Sequence, residues 1–83
     1  MVKEKEVQED LKYLLGNMGI EILIAIDKGA KDFETIHLFS GCPLSCIRGR
    51  IPVLLDLALI KQNSNEEYFL AEKGIIFKNK LFK

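Results

Sequence analysis

The sequence predicts a mainly helical domain with a small β-hairpin, an α+β fold class. Three observations support this prediction. Apolar residues recur at helical spacing within residues 41–60, acids crowd the start of an amphipathic segment at residues 4–15, and a polar turn at residues 63–66 separates two short β-like runs. Because the chain has 83 residues, we expect one domain with a thin core, since such a chain buries only about 60% of its unfolded surface.

The composition excludes several classes of protein. Twelve basic residues balance twelve acidic ones, whereas a nonspecific nucleic-acid coating protein is strongly basic. Acids dominate residues 1–10 and lysines dominate residues 71–83, so the neutral total is compatible with a locally basic face. We find no apolar run long enough for a membrane span, no signal-peptide pattern and only two cysteines. We therefore expect a cytoplasmic protein with no membrane partner.

The first predicted element is an amphipathic helix over residues 4–15. Its apolar face includes Val7, Leu11 and Leu14, and acidic residues occupy its first turns, where they suit the helix dipole. The following Gly16 either breaks this helix or only loosens it.

The next two segments differ in how clearly they can be assigned. Residues 18–28 are almost fully apolar, with isoleucines at every second position, so both a helix and a strand are open. Asp32 is a preferred N-cap residue, which predicts a short helix over residues 32–39. The residues of that helix expected to face the core are Phe33, Ile36 and either Leu38 or Phe39.

The third helix is predicted over residues 43–57, with Pro43 at its first position. Pro52 removes one helical hydrogen bond, so we expect a kink there or a helix that begins anew. Ala58 stands where a glycine is preferred after a helix. The core side of this helix consists of Ile47, Ile51, Leu54 and Leu55.

The remaining elements are a hairpin and a terminal helix. Strands are expected over residues 59–63 and 67–71, and the tip between them lacks basic residues, leaving only Lys61 near its base. Residues 72–82 are predicted to form a helix or a partly helical tail. That tail is too apolar to remain in solvent and needs a partner surface.

Three stretches carry a resemblance to a known family: residues 32–36 (DFETI), residues 41–60 and residues 70–74 (LAEKG). In this order they resemble a winged helix-turn-helix domain, of the kind found in small archaeal and bacterial ArsR- and MarR-like regulators. The resemblance covers residues 18–76 and depends on the order of elements rather than on an invariant motif. Ala58, Ala71 and Pro52 depart from the family pattern.

The resemblance implies a helix for residues 18–28 and the element order α-α-α-α-β-β-α. It divides the single domain, residues 1–83, into an N-terminal helix (1–17), a winged-helix core (18–71) and a C-terminal helical tail (72–83).

The function implied by the resemblance is that of a transcriptional regulator, a homodimer that inserts the helix at residues 43–57 into the major groove of double-stranded DNA at a palindromic site. Arg48 and Arg50 are expected outward, where arginine pairs with guanine edges. The implied DNA-binding residues are Leu44, Ser45, Cys46, Arg48, Gly49, Arg50 and Lys61. The predicted dimer contacts are Val7, Leu11, Leu14, Phe77, Leu81 and Phe82.

A second function remains open, since one fold serves many functions. A winged-helix module that binds proteins and not DNA would use Leu44, Val53 and the apolar residues 77–82 as a docking patch.

A third function, a metal- or redox-responsive regulator, depends on Cys42, Cys46 and His37. These three residues fall short of a closed four-ligand zinc site, and small apolar cysteines at a helix start explain the pattern. We therefore expect no metal and no cofactor. The single histidine has no nucleophile signature beside it and no glycine-rich phosphate loop is present, so we expect no enzyme.

Overall fold

A computed structural model describes residues 4–81 of the chain, with side chains from residue 15 onward. It contains four helices and a two-stranded antiparallel hairpin, which confirms the mainly helical α+β class. Within that range the elements are α1 (Glu4–Asp27), α2 (Phe33–Ser40), α3 (Leu44–Asp56), β1 (Ile60–Gln62), β2 (Tyr68–Leu70) and α4 (Glu72–Leu81).

Helix α1 is two helical segments joined at Gly16. This glycine has φ 67° and ψ 178°, a backbone conformation that an L side chain rarely adopts. Of the two alternatives left open for Gly16, the break is therefore correct. The segment after it is helical as far as Asp27, so the helix and not the strand is correct for residues 18–28. It buries Ile22, Leu23 and Ala25 in the core.

Both ends of α2 are determined by local interactions. Asp32 Oδ1 accepts a hydrogen bond from the Thr35 backbone N–H at 2.8 Å, and Thr35 Oγ1 accepts one from the Asp32 N–H at 3.2 Å. This reciprocal capping box confirms the predicted N-cap. At the other end Gly41 adopts φ 74°, and its N–H donates to the His37 carbonyl at 2.9 Å.

Helix α3 lacks such local support. It begins at Leu44, one residue later than predicted, so Pro43 is its N-cap and not its first residue, and no side chain caps it. The helix does not begin anew at Pro52, since one helix runs through that residue. Pro52 lies on the exposed side of the helix, while Ile51 and Leu54 on either side are buried at 2% and 0% exposure. Burial of these neighbours holds both halves of α3 on the core.

The hairpin strands are shorter than predicted, with three residues each. Beyond them, the Ala71 N–H donates to the Leu59 carbonyl at 3.0 Å. The Tyr68 N–H donates at 2.9 Å to the carbonyl of Lys31, which joins the loop between α1 and α2 to the outer edge of β2. The strand register pairs Ile60 with Leu70, Lys61 with Phe69 and Gln62 with Tyr68.

Helix α4 docks on the chain's own core. Gly74 is buried, and a Cβ at this position would overlap the carbonyl oxygen of Leu59. Phe77 is only 3% exposed and belongs to the hydrophobic core. Its prediction as a dimer contact is therefore corrected, because its side chain leaves no surface for a partner. Ile75 and Ile76 face outward from α4 instead.

The core is formed by one cluster to which α1, α2, α3, β1 and α4 all contribute. Its buried members are Leu15, Ile22, Leu23, Ala25, Ile26, Ala30, Ile36, Cys42, Ile47, Ile51, Leu54, Leu59, Ile60 and Phe77.

Among residues 4–81, no single helix has the length and apolar character needed to cross a membrane. Helices α2 and α3 meet those requirements only when taken together, as a pair bent by 108°.

Candidate nucleic-acid interface

The outward side of α3 carries small side chains at its centre. Ser45 and Gly49 are one helical turn apart and both are exposed. Leu44 and Pro52 extend the same exposed side, and Asp56 follows at the end of the helix. The predicted DNA-binding residues Leu44, Ser45 and Gly49 therefore lie on one accessible side of the helix.

Arg48 and Arg50 do not form the outward pair that the sequence analysis expected. At 3.6 residues per turn, side chains two positions apart point about 160° away from each other around the helix axis. Arg48 is exposed, whereas Arg50 is half-buried on the other flank of the helix. Within residues 15–81 neither guanidinium makes an ion pair or a hydrogen bond. The two positive charges are therefore not neutralised by any described side chain, and they lie on opposite flanks of α3.

The cysteines and the histidine contribute to the turn between α2 and α3. Cys42 is buried, with its Sγ 3.8 Å from the Met18 carbonyl oxygen, and His37 Nδ1 donates to the Cys42 carbonyl at 2.6 Å. Cys46, one of the predicted DNA contacts, is half-buried, and both thiols are free. No group of three or more metal-ligating side chains is found in the part of the chain that the structure describes.

Lys61 is exposed on β1, but the hairpin tip beyond it carries acids and amides. Asn63 stabilises the turn at this tip, because its Oδ1 accepts hydrogen bonds from the N–H groups of Asn65 at 2.9 Å and Glu67 at 3.0 Å. A second cation lies near the hairpin, because Lys31 Nζ is 5.3 Å from the centre of the Phe69 ring. The sequence alone does not indicate Lys31, because its contact with Phe69 depends on the loop before α2 meeting β2.

Apolar side chains are exposed around the turn between α2 and α3. Leu38 is 70% exposed, Phe39 54% and Leu44 42%. The prediction that Leu38 or Phe39 faces the core is therefore wrong, and of the predicted core residues of α2 only Ile36 is buried. An eight-residue helix has too few turns for its apolar pattern to identify the buried side.

A cleft of about 390 Å³ separates the start of α2 from the hairpin. The rings of Phe33 and Tyr68 meet there, with their centres 6.0 Å apart and their planes inclined by 31°. No local sequence pattern indicates this cleft, because its two walls are about 30 residues apart in the chain. The residues lining it are Asp32, Phe33, Gln62, Asn65, Glu66 and Tyr68.

Comparison with known proteins gives a similar fold but no family. No protein-family model matches the chain, and no curated protein matches its sequence. Among solved structures, the chain is similar to an O-methyltransferase from neocarzinostatin biosynthesis, solved in complex with S-adenosyl-L-homocysteine. The TM-score is 0.65 and the identity 14%, over 88% of this chain and 24% of the enzyme chain. This chain thus spans about a quarter of that enzyme's length, and at this identity the likeness concerns the fold alone.

Proposed function

We propose that the chain is a winged helix-turn-helix domain. Helices α2 and α3 meet at 108° across the three residues 41–43, which agrees with the angle of about 90–120° and the short turn of helix-turn-helix motifs. The hairpin follows α3 directly, as a wing does. The hydrogen bond from the Tyr68 N–H to the Lys31 carbonyl joins the segment before α2 to this wing. The TM-score of 0.65 to a solved structure supports a recurrent arrangement of these elements.

On this fold, the chain acts as a DNA-binding transcriptional regulator in the cytoplasm. The observation that carries the proposal is the outward side of α3, where small Ser45 and Gly49 lie between Arg48 and Arg50, whose guanidiniums have no partner among residues 15–81. Because these side chains are small, the backbone of α3 can approach the floor of the major groove closely. Arginines on opposite flanks then reach toward the two groove walls, where phosphates position a protein on DNA.

This geometry changes the contacts expected from the sequence. Two arginines that diverge by about 160° do not read neighbouring guanines together. Arg48 and Arg50 therefore act mainly through phosphate, and base contacts fall to Ser45, Cys46 and the backbone near Gly49. Phosphate contacts supply affinity that depends strongly on salt, whereas base contacts supply sequence preference.

The regulator is proposed to bind a palindromic site as a homodimer. Twofold symmetry would separate the two α3 helices by about 34 Å, one turn of DNA. Ile75, Ile76 and half-buried Leu81 supply the apolar outer surface of α4 for this contact. The other predicted dimer residues, Val7, Leu11, Leu14 and Phe82, lie outside the described side chains.

Selection of bound duplexes from a random DNA pool, followed by a salt titration, tests this proposal. We expect an inverted-repeat consensus and an affinity that falls steeply with salt. Arg48→Ala and Arg50→Ala should each weaken binding and reduce the slope of log affinity against log salt by about 1. Lys28→Ala, an exposed cation after α1, is the matched control and should change the affinity much less. Absent or salt-insensitive binding, or arginine variants that behave like the control, would contradict the proposal.

A second function is favoured by the exposed apolar side chains of Leu38, Phe39 and Leu44. A surface that lies on DNA is polar and basic, whereas clustered apolar exposure is typical of a protein interface. In this function α2 and the start of α3 bind a protein. It predicts that Leu38→Ser combined with Phe39→Ser abolishes partner binding, while Ile75→Ser with Ile76→Ser does not. The first function predicts that the Leu38 and Phe39 changes leave the salt dependence of DNA binding intact.

A further inference from the structure

The cleft between α2 and the hairpin takes no part in the proposed DNA binding. One of its walls is aromatic, since Phe33 from the start of α2 meets Tyr68 from β2 at a ring distance of 6.0 Å. Its volume of about 390 Å³ lies within the range of about 300–1,000 Å³ in which proteins hold small ligands. Aromatic faces carry negative electrostatic potential and attract cations.

Two carboxylates and two amides line the rest of the cleft. Asp32 and Glu66 both line it, and neither makes an ion pair with the described side chains. Hydrogen bonds from the backbone and side chain of Thr35 lower the pKa of Asp32, so this carboxylate is ionised at neutral pH. Part of its charge offsets the positive end of the α2 dipole. Asp32 thus already has an electrostatic partner in α2, whereas Glu66 has none among the described residues.

Another aromatic ring of the same strand already has a cation. Lys31 Nζ lies 5.3 Å from the centre of the Phe69 ring, on the opposite face of β2 from Tyr68, because side chains alternate along a strand. Among the described residues, no cation of the chain lies over the Phe33 and Tyr68 rings. The chain thus supplies a cation to one face of β2, whereas no lysine or arginine among residues 15–81 lines the cleft on the other face.

The wall that carries Glu66 is held in place by hydrogen bonds. Glu66 donates its N–H to the Asn63 carbonyl at 3.1 Å, and its own carbonyl accepts from Gln62 Nε2 at 3.3 Å. Glu66 also has φ 64°, a left-handed conformation that defines the turn. The hairpin therefore fixes the backbone from which the Glu66 side chain extends at the edge of the cleft.

We propose that this cleft binds an organic cation, an alkylammonium or guanidinium group that rests against the rings of Phe33 and Tyr68 and faces the carboxylate of Glu66. The same chemistry is offered by a free amine and by a lysine or arginine side chain of a partner protein. The proposal is independent of DNA binding, since none of the three residues lies on α3.

The first test is an NMR titration of the ¹⁵N-labelled full chain with choline. The control ligand is 3,3-dimethylbutan-1-ol, which has the same shape without the charge. We expect saturable shifts of the Phe33, Gln62 and Tyr68 amides with choline and none with the neutral alcohol. Equal shifts with both ligands, shifts that do not saturate, or no shifts would overturn the proposal.

Variants locate the cation within the cleft. Glu66→Gln removes the charge while keeping the backbone bonds of the turn, and should weaken choline binding by about threefold or more. Phe33→Leu should weaken it similarly by removing the aromatic face. Glu67→Gln is the matched control: its carboxylate accepts from Asn63 Nδ2 at 3.1 Å and does not line the cleft, so binding should be unchanged. Unaltered binding by Glu66→Gln, or equal losses with Glu67→Gln, would overturn the assignment.

Two further probes identify the source of the cation. Acetyl-Gly-Lys-Gly-amide and acetyl-Gly-Gln-Gly-amide differ in one charge, and only the lysine peptide should shift the cleft amides. If it binds more tightly than choline, the natural ligand is a side chain of a partner; if more weakly, a free amine. Equal shifts with both peptides would contradict the cation assignment.

Discussion

The C-terminal ends of α1 and α3 use the same backbone hydrogen bonds but different residues. After α1, the Gly29 N–H donates to the Ile26 carbonyl and the Ala30 N–H to the Ala25 carbonyl, both at 3.0 Å. This is the Schellman arrangement, in which one left-handed residue precedes an apolar one that packs back on the helix. Gly29 has φ 111° and Ala30 is buried, so a glycine takes the position that needs one.

After α3, alanine takes the same position. The Ala58 N–H donates to the Leu55 carbonyl and the Leu59 N–H to the Leu54 carbonyl, again at 3.0 Å. Ala58 adopts φ 59°, and an L residue in this region costs about 1–2 kcal/mol. Leu59, by contrast, is completely buried. The comparison shows two causes of a helix end. Helix α1 ends at a glycine that favours the left-handed conformation, whereas α3 ends because Leu59 must be buried, at the cost of a strained alanine.

The largest effect is expected from shortening the side chain that holds the end of α3. Leu59→Ala should lower the free energy of unfolding by about 2–5 kcal/mol, because it removes apolar contacts and leaves a cavity. Denaturant unfolding followed by circular dichroism measures this change. Leu57→Ala, at a half-buried position two residues earlier, is the control and should cost less. Equal losses would mean that Leu59 has no special part in ending α3.

The next effect concerns α4, whose Gly74 packs against the backbone of Leu59 after the end of α3. Gly74→Ala should destabilise the fold by about 1–3 kcal/mol, since its Cβ would overlap the Leu59 carbonyl and force α4 to shift. In Gly49→Ala the new Cβ meets nothing within 4 Å, so this helical control should be neutral or stabilising by up to about 1 kcal/mol. Thermal unfolding of both variants compares them directly. A stable Gly74→Ala protein would contradict the close approach.

Gly29→Ala tests the end of α1. No atom lies within 4 Å of a Cβ at this position, so backbone strain alone should destabilise the protein, by about 1–2 kcal/mol. Gly29→Asn should lose less, because asparagine tolerates left-handed conformations. If both variants unfold at the wild-type denaturant concentration, the local preference of α1 for an end at Gly29 is refuted.

Ala58→Gly tests the end of α3 in the opposite direction. Glycine removes the left-handed strain, and after its greater backbone entropy in the unfolded chain is subtracted, a gain of about 0.5–1 kcal/mol remains. The midpoint of denaturant unfolding should rise. A loss of stability would show that the methyl group of Ala58 makes contacts that outweigh its strain.

The smallest effect concerns the beginnings of α2 and α3, of which only α2 has a side-chain cap. Hydrogen bonds from the Thr35 backbone and side chain lower the pKa of Asp32 from its ordinary value of 3.8. The carboxylate therefore stabilises the fold above that value, and this contribution disappears as the pH falls through the lower pKa of the folded state. Asp32→Asn keeps the hydrogen-bond acceptor without the titration.

Thermal unfolding of the wild type and of Asp32→Asn between about pH 6 and about pH 2.5 isolates this titration. The wild type should lose stability relative to the variant only at the acidic end. Parallel curves at every pH would exclude a contribution from the Asp32 charge.

Much of the fold could be predicted because its signals are local. The break at Gly16, the N-cap at Asp32 and the turn at Gly41 each depend on the dihedral preferences of a few neighbouring residues. The left-handed conformation of Ala58 does not, because it depends on the burial of Leu59. The continuity of α3 through Pro52 could not be predicted in this way. It depends on the burial of Ile51 and Leu54 against side chains from other elements.

The candidate sites show the same difference between features that follow from local geometry and features that depend on tertiary contacts. The divergence of Arg48 and Arg50 follows from helix geometry alone and was available in the sequence. The cleft could not be predicted from the sequence, because Phe33 and Tyr68 meet only when the Lys31 carbonyl accepts the hydrogen bond from the Tyr68 N–H of β2. The exposure of Leu38 and Phe39 was also hidden, since their apolarity alone predicted burial.

The amino-acid sequence by itself determined the helical class, the hairpin, the end of α1 and the start of α2, because backbone preferences act over one to four residues. Only the tertiary structure decided which sides of α2 and α4 are buried, that Phe77 faces inward and that two aromatic rings and two carboxylates share one cleft. The physical reason is that burial depends on the surfaces that distant parts of the chain present to each other, and no local preference encodes those surfaces.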